Sequence, residues 1–378
     1  MKIAVDFREA SRLNKTGKGW YAYNLLAAVL AQDSQNEYIF YIDKLCALPE
    51  EFKKFSNIAW RRINRRSIFW HLAVLRDLKA AHGSAPADLF FATTSFIIPA
   101  LAARTLKTII IVHDLVAFLF PDHNKKAVFI EKMTLKFALK KAVKVITISE
   151  NTKKDLLKKF APSTSSLIDK IASVPAAASE KFHQMSLPEI KNFRISHNLP
   201  ERFILGVGTL EPRKNFTTLI DAFAQVNQEF PNLKLIIIGA KGWKYKQIFD
   251  RVHHQDIKDK VIFRGYVAEN DLVGYYNGAE IFVFPSLYEG FGIPPLEAMK
   301  CSCPIIASNA ASMPEVIGTG GLLVDPADTR GLAEAIKSIL VDRDLRNKLV
   351  NRGQHQSQKF SWQSSASKLI QLFRSIAR

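Results

Sequence analysis

Residues 284–299 read "FPSLYEGFGIPPLEAM", and they decide how the chain folds. The apolar run "EIFVFPS" that leads into them has the length and aromatic, β-branched make-up of a buried strand. Pro294 and Pro295 suit the first turn of a helix, where a preset φ helps and a missing amide hydrogen costs nothing. A strand that turns through glycines into a helix is the repeating unit of a parallel α/β sheet. The glycines leave backbone amides bare at the helix start, a ready place for phosphate oxygens. Glu289 is expected in the loop and Glu297 in the first helical turn, where each carboxylate can accept hydrogen bonds from hydroxyls on either side of the anion. Sugar, diphosphate and sugar again is the layout of a nucleotide sugar. The plainer alternative is a glutamate that serves only the helix dipole.

The same unit recurs along the chain. Strands are expected at "KIAVDF", "EYIFYI", "DLFFAT", "TIIIVHD" and "KVITIS", with helices over 20–31, 68–82, 125–142 and 150–160. A stretch rich in Ser, Ala and Pro follows, and a second series opens at "RFILGVG" and continues through "KLIIIGA", "VIFRGYV", "IFVFPS", "PIIAS" and "GLLVDP". The expectation is two doubly wound α/β domains: residues 1–178, a linker at 179–200, residues 201–360, and a C-terminal helix at 361–378 with the N-terminal domain as its candidate partner. At 378 residues the chain suits two cores better than one.

A hydrophobic share of 48% with 23% charged residues is that of a soluble globular protein, and no apolar run nears the roughly 20 residues of a membrane span. Asp6 interrupts what would be the apolar part of a signal peptide, so a cytoplasmic location is expected. Cys46 stands alone, and Cys301 and Cys303 have no second pair, which reads as buried thiols rather than a zinc site. The net charge of +18 is uneven: residues 1–200 hold 31 Lys and Arg against 17 Asp and Glu, residues 201–378 hold 22 against 18. Such a surface draws nucleic acid, an anionic membrane or a phosphorylated ligand.

Three further stretches offer site residues. In "GVGTLEPRKN", Arg213 supplies a planar fork for phosphate and Lys214 a mobile charge, at the mouth of a strand; solvated loop charges are the alternative. This is not a dinucleotide fingerprint, because Glu211 occupies the place of the third glycine. In "NKTGKGWYAYNLL", Gly17 and Gly19 would let a loop run close to a ligand before a helix near Trp20. In "TIIIVHDL", His113 at a strand end could position or deprotonate an acceptor, or be a structural histidine.

Together "GKGWYAYNLL", "IVHDLVAFLFPDH", "VITISENTKKDL", "VGTLEPRKN" and the run from Pro285 to Pro326 resemble glycosyltransferase family 4, over nearly the whole chain. The E-x7-E of Glu289 and Glu297 is the most specific element. The resemblance implies a GT-B fold, two Rossmann-like domains facing across a cleft, and a retaining transferase using a nucleotide-sugar donor. It implies Arg213 and Lys214 on the diphosphate, Glu289 on the donor sugar, the amides of Gly290, Phe291 and Gly292 on phosphate or sugar, Glu297 on the ribose, Tyr266 and Val267 by the nucleobase, and His113 near the reacting sugar. Thr209 stands where many members have arginine, which shifts the phosphate load to Arg213 and Lys214. No metal or other cofactor is implied, and Asp342 to Asp344, the D-x-D, reads as surface charge. The forms of these motifs look like those of mannosyltransferases of surface-polysaccharide assembly, so GDP-mannose and a lipid-linked or oligosaccharide acceptor are the first guess.

Residues 51–75 mix Lys53, Lys54, Arg61, Arg62, Arg65 and Arg66 with Trp60, Phe69 and Trp70, a composition that suits an anionic membrane face. The expectation is peripheral attachment to the inner face of the cytoplasmic membrane, without nucleic acid as partner; a strand plus core helix is the alternative. Two rival functions are a basic non-enzymatic protein that binds nucleic acid or membrane, and a GT-B-shaped nucleotide-sugar epimerase.

Overall fold

The computed structural model describes residues 1–46, 48–79, 87–103, 105–120, 125–163 and 166–377. Residues 80–82 of the expected helix 68–82, Pro121 to His123 of the family-like stretch and Arg378 lie outside them. The chain divides into two compact units, residues 1–176 with 361–378, and residues 177–360.

The first unit holds a parallel sheet in the order β3-β2-β1-β4-β5-β6-β7. Its strands are β1 Lys2–Asp6, β2 Glu37–Asp43, β3 Ile58–Ile63, β4 Leu89–Ala92, β5 Lys107–Val112, β6 Lys144–Thr147 and β7 Ile171–Ser173. The second holds β8 Phe203–Val207, β9 Lys234–Ile238, β10 Val261–Gly265, β11 Ile281–Phe284, β12 Ile305–Ser308 and β13 Leu322–Val324, in the order β10-β9-β8-β11-β12-β13. The helices that matter below are α1 Gly17–Gln32, α2 Ser67–Lys79, α3 Lys125–Lys141, α4 Leu187–Ser196, α5 Phe216–Glu229, α6 Glu269–Gly278, α7 Ile293–Lys300 and α8 Trp362–Ala377. Central strands such as "FILGV" and "IFVF" are buried at every position, as strands covered by helices on both faces must be. In each sheet the strand order reverses once, between β1 and β4 and between β8 and β11. Loops leaving the two strands at such a point run in opposite directions and leave a crevice at their carboxyl ends.

Strands β3 and β7 are edge strands; β3 followed by α2 is the strand-plus-core-helix alternative for residues 51–75, and β7 was not expected. The "IAWRRI" of β3 exposes both arginines, and β7 has three residues. The reading of residues 51–75 as aromatics free to enter a membrane is corrected here. Trp60 lies against Phe7 at 5.6 Å and Phe40 at 5.2 Å. Trp70 is fully buried, with its Nε1 donating to the Ile42 carbonyl at 3.3 Å and the Arg8 guanidinium 3.6 Å above its ring. These rings seal the sheet edge, and only Phe69 of the three is exposed.

Helix α8 belongs to the first unit. Trp362 meets Tyr21 at 5.6 Å, Phe373 meets Phe91 at 5.7 Å, and Ser367 donates to the Gln32 side chain at 2.8 Å. Within 179–200 the chain forms α4, closed by a capping box in which Ser186 and Glu189 satisfy each other's amides. Its Phe193 packs edge-on against Tyr275 of α6 at 5.6 Å, and the whole of this segment is part of the second unit. Among the described residues no helix is long and apolar enough to cross a membrane.

Candidate functional site

The crevice at the β8/β11 reversal collects three of the sequence-predicted residues. After β8 the chain makes a short 3-10 turn, Pro212–Lys214, and Asn215 in the left-handed region (φ 56°) swings it into α5. Asn215 donates to the carbonyls of Pro285 at 3.1 Å and Pro326 at 2.7 Å, and the Leu287 amide donates to the Arg213 carbonyl at 2.8 Å. The two strand-end loops are thereby tied together. Arg213 Nη1 sits 2.8 Å from Glu289 Oε2, Lys214 Nζ donates to Glu289 Oε1 at 2.6 Å, and Arg213 Nη2 donates to Glu211 Oε1 at 2.6 Å. Burial works against the charge on all of these groups. Lys214 and Arg213 more than offset it at Glu289, whose carboxyl is held below the usual range. For Arg213, Glu289 and Glu211 outweigh burial and keep the guanidinium firmly charged. At Lys214 burial prevails and lowers the ammonium's pKa, so the cluster pairs one firmly charged guanidinium and a lysine with two carboxylates in a mostly water-free setting, where each charge acts strongly.

Glu211 is the member that the sequence reading passed over. Its glycine-replacing position was noticed, yet its bond to Arg213 depends on the turn bringing a residue two places away back over the loop.

The glycine loop is held from below. Ser312 donates to the carbonyls of Glu289 at 3.0 Å and Phe291 at 2.6 Å, and the buried Phe291 ring meets Phe360 at 5.4 Å. Gly292 has φ 112°, a backbone conformation strained for any residue with a side chain, which is why glycine stands there. Because that conformation ends the loop, α7 begins at Ile293 and Glu297 falls in its second turn. The expected first-turn placement is corrected, and with it goes the reading of Glu297 as a dipole partner. Glu297 instead accepts from the Tyr276 hydroxyl at 2.9 Å. It is half-buried with no ion pair among the described residues, and burial pushes its carboxyl up to about 8. Tyr276 comes from α6, twenty-one residues away in sequence, and no local pattern announced it.

Three other expected donor residues lie in the loops that follow the strands. Thr209 is exposed just after β8, while Tyr266 is exposed and Val267 half-buried beyond the end of β10. Gly290 is buried in the loop beside Glu289.

In the first unit, His113 closes β5. Its Nε2 lies 2.7 Å from the Thr93 carbonyl, which can only accept, so this nitrogen carries the proton and Nδ1 keeps a lone pair. Burial, helped by Lys18, depresses the imidazole to about 4, and it is neutral at pH 7. Such a group accepts a hydrogen bond and is a weak base, which favours positioning over deprotonation. Gly17 and Gly19 lie not in a loop but in the first turn of α1, whose N-cap is Thr16, accepting from the Gly19 amide at 3.4 Å. A Cβ at Gly19 would meet the Glu9 carbonyl at 2.5 Å, so packing explains that glycine; one at Gly17 would meet nothing within 4 Å. Asp342 caps the next helix by accepting from the Leu345 amide at 2.9 Å. Among the described residues no group of three His, Cys, Asp or Glu is arranged to hold a metal, and all three cysteines are buried free thiols.

Comparison with known proteins places this geometry. The family described as "Glycosyl transferases group 1" matches residues 189–356, a span that contains the whole Arg213–Glu289–Glu297 region. The O-antigen chain mannosyltransferase B of Escherichia coli is 30% identical over 322 residues, covering 84% of this chain and 79% of that protein. The chain belongs to the group 1 glycosyl transferases, glycosyltransferase family 4. This glycosyltransferase is also 29% identical over 346 residues to the O-antigen chain mannosyltransferase RfbU of Salmonella typhimurium, covering 87% of this chain and 89% of that one. The Anabaena protein HepE, solved with UDP-glucose, superposes with TM-score 0.78 at 18% identity over 99% of this chain and all of that one. The fold is GT-B, and the family's enzymes are retaining hexosyltransferases.

Proposed function

We propose that the enzyme transfers a mannosyl group from GDP-mannose to a hydroxyl of a lipid-linked or polysaccharide acceptor, with retention and without a metal. The observation that carries the donor reading is Glu289 held within 2.8 Å of both Arg213 and Lys214 at the carboxyl end of the second sheet. In the proposed complex the diphosphate lies over Arg213, Lys214 and the amides of Gly290, Phe291 and Gly292, where fixed cations and loop amides do the work of a magnesium ion. Glu289 accepts from hydroxyls of the sugar, and Glu297 from the ribose. Tyr266 and Val267 flank the base, and Gly17, Gly19 and Thr209 border the donor. The His113 Nδ1 lone pair holds a hydroxyl near the reacting carbon. The acceptor oxygen bonds to the anomeric carbon on the face from which GDP departs. The carbon–phosphate oxygen bond breaks with its electron pair on the nucleotide, and the acceptor proton passes to a phosphate oxygen. Mannose rests on the O-antigen mannosyltransferase relatives, and GDP on the resemblance of the motifs alone. The basic first unit supports work at the inner face of the cytoplasmic membrane.

Thermal unfolding with GDP, UDP and ADP tests the donor. A nucleotide at about 100 times its dissociation constant stabilises the native state by about 2.7 kcal/mol. GDP is expected to raise the midpoint in wild type and to do so less in Glu297→Ala; a response to UDP alone would overturn the choice of base. Inversion at the anomeric carbon, seen by NMR of the product, would overturn the mechanism.

A further inference from the structure

Helix α3, "KKAVFIEKMTLKFALKK", buries Val128, Leu135, Ala138 and Leu139 against the first sheet. Its outward side is where a soluble helix is normally polar. Here Phe129 is 66% exposed, Met133 48% and Phe137 49%, at spacings that align them in one ridge, with Ile130 beside it. The exposed Lys136 and Lys140 border that ridge. A second helix on the same core, α2, also turns Phe69 and Leu72 outward with Arg76 and Lys79. Across 65–79 and 125–141 the sequence has ten Lys and Arg against two acids.

We propose that the α3 ridge, extended by Phe69 and Leu72, is the surface by which this enzyme seats on an anionic lipid bilayer. This rests on the peripheral attachment proposed above and gives it a face, in place of the buried Trp60 and Trp70. Aromatic and thioether side chains enter the headgroup boundary while the lysines remain among the phosphates, the division of labour of an interfacial helix. The charge argues against the other obvious occupant. A two-fold copy would bring the same lysines face to face across a self-complementary interface, and protein interface cores are poor in lysine.

The test is flotation with vesicles of phosphatidylglycerol and phosphatidylcholine, beside pure phosphatidylcholine, using full-length protein. Wild type is expected to float with the anionic vesicles alone, and Phe129→Ser/Phe137→Ser to lose about tenfold in affinity. Lys136→Glu/Lys140→Glu, which changes only exposed charge, is expected to lose a similar factor, with both melting curves recorded as a check on folding. Sugar transfer to a water-soluble acceptor is expected to be unchanged in the charge variant. Anionic binding that both variants retain would overturn this surface and leave peripheral attachment standing. Failure of wild type to float would overturn both. A wild-type dimer that the Phe variant splits, without vesicle binding, would give the ridge to a second copy of the chain.

Discussion

Two glutamates eight residues apart have opposite electrostatic surroundings. Glu289 faces two cations, and its lowered pKa means that it contributes stability above the ordinary carboxylate range, lost as pH falls below it. Replacing it with Gln leaves Arg213 and Lys214 crowded together in a buried place. Glu289→Gln is expected to be destabilised by about 3 kcal/mol, read by urea unfolding at pH 7, in addition to any loss of activity. Glu297 has the opposite sign. Its carboxyl is raised to about 8, so its contribution is complete only below the ordinary carboxylate range and is lost progressively as pH rises from there to about 8. Glu297→Gln keeps an acceptor for Tyr276 and removes the titration. The wild-type melting midpoint is expected to fall relative to this variant between about pH 5 and pH 8 and to run parallel to it above that; curves parallel throughout would contradict the assignment. For His113, the depression to about 4 removes any protonation step near neutrality. His113→Asn is expected to lose about 10²-fold in kcat/KM while both enzymes share the same pH profile from about pH 6 to 8.

At the scale of elements, the turns into α7 and α1 make a matched pair. Gly292 holds a positive φ, a backbone conformation strained for any residue with a side chain. Gly292→Ala is expected to lower stability by more than about 1 kcal/mol and to disturb the Glu289 loop. Gly17 is open on all sides and begins α1. Gly17→Ala is expected to leave the melting midpoint unchanged or slightly higher. A fall in donor affinity in that folded variant would then report contact with the ligand, which the packing-bound Gly19 cannot do.

On the scale of the whole molecule, two units with separate cores imply two cooperative transitions. In calorimetry GDP is expected to raise the transition of residues 177–360. Removal of residues 361–378 is expected to lower the other, because it strips Trp362, Leu369 and Phe373 from the first core. The alternating strands and helices of both sheets were legible because buried parallel strands write continuous apolar runs between helical patterns. Strand β3, a half-exposed edge, was legible only as the alternative reading of residues 51–75, and β7, a three-residue stub, was not legible.

The sequence by itself determined the repeating β–α unit and the family. It also marked the cluster of Arg213, Lys214 and Glu289, because backbone chemistry at a strand end demands glycine and proline at set spacings, and those are written locally. Only the tertiary structure decided which charges neutralise each other, which tryptophans are covered and which phenylalanines stand outside. Those outcomes depend on groups far apart in the chain: Tyr276 beneath Glu297, Ser312 beneath the glycine loop, Phe7 and Phe40 against Trp60. Burial raises both carboxyls, and the cations that folding brings to Glu289 and not to Glu297 separate an ionised Glu289 from a protonated Glu297.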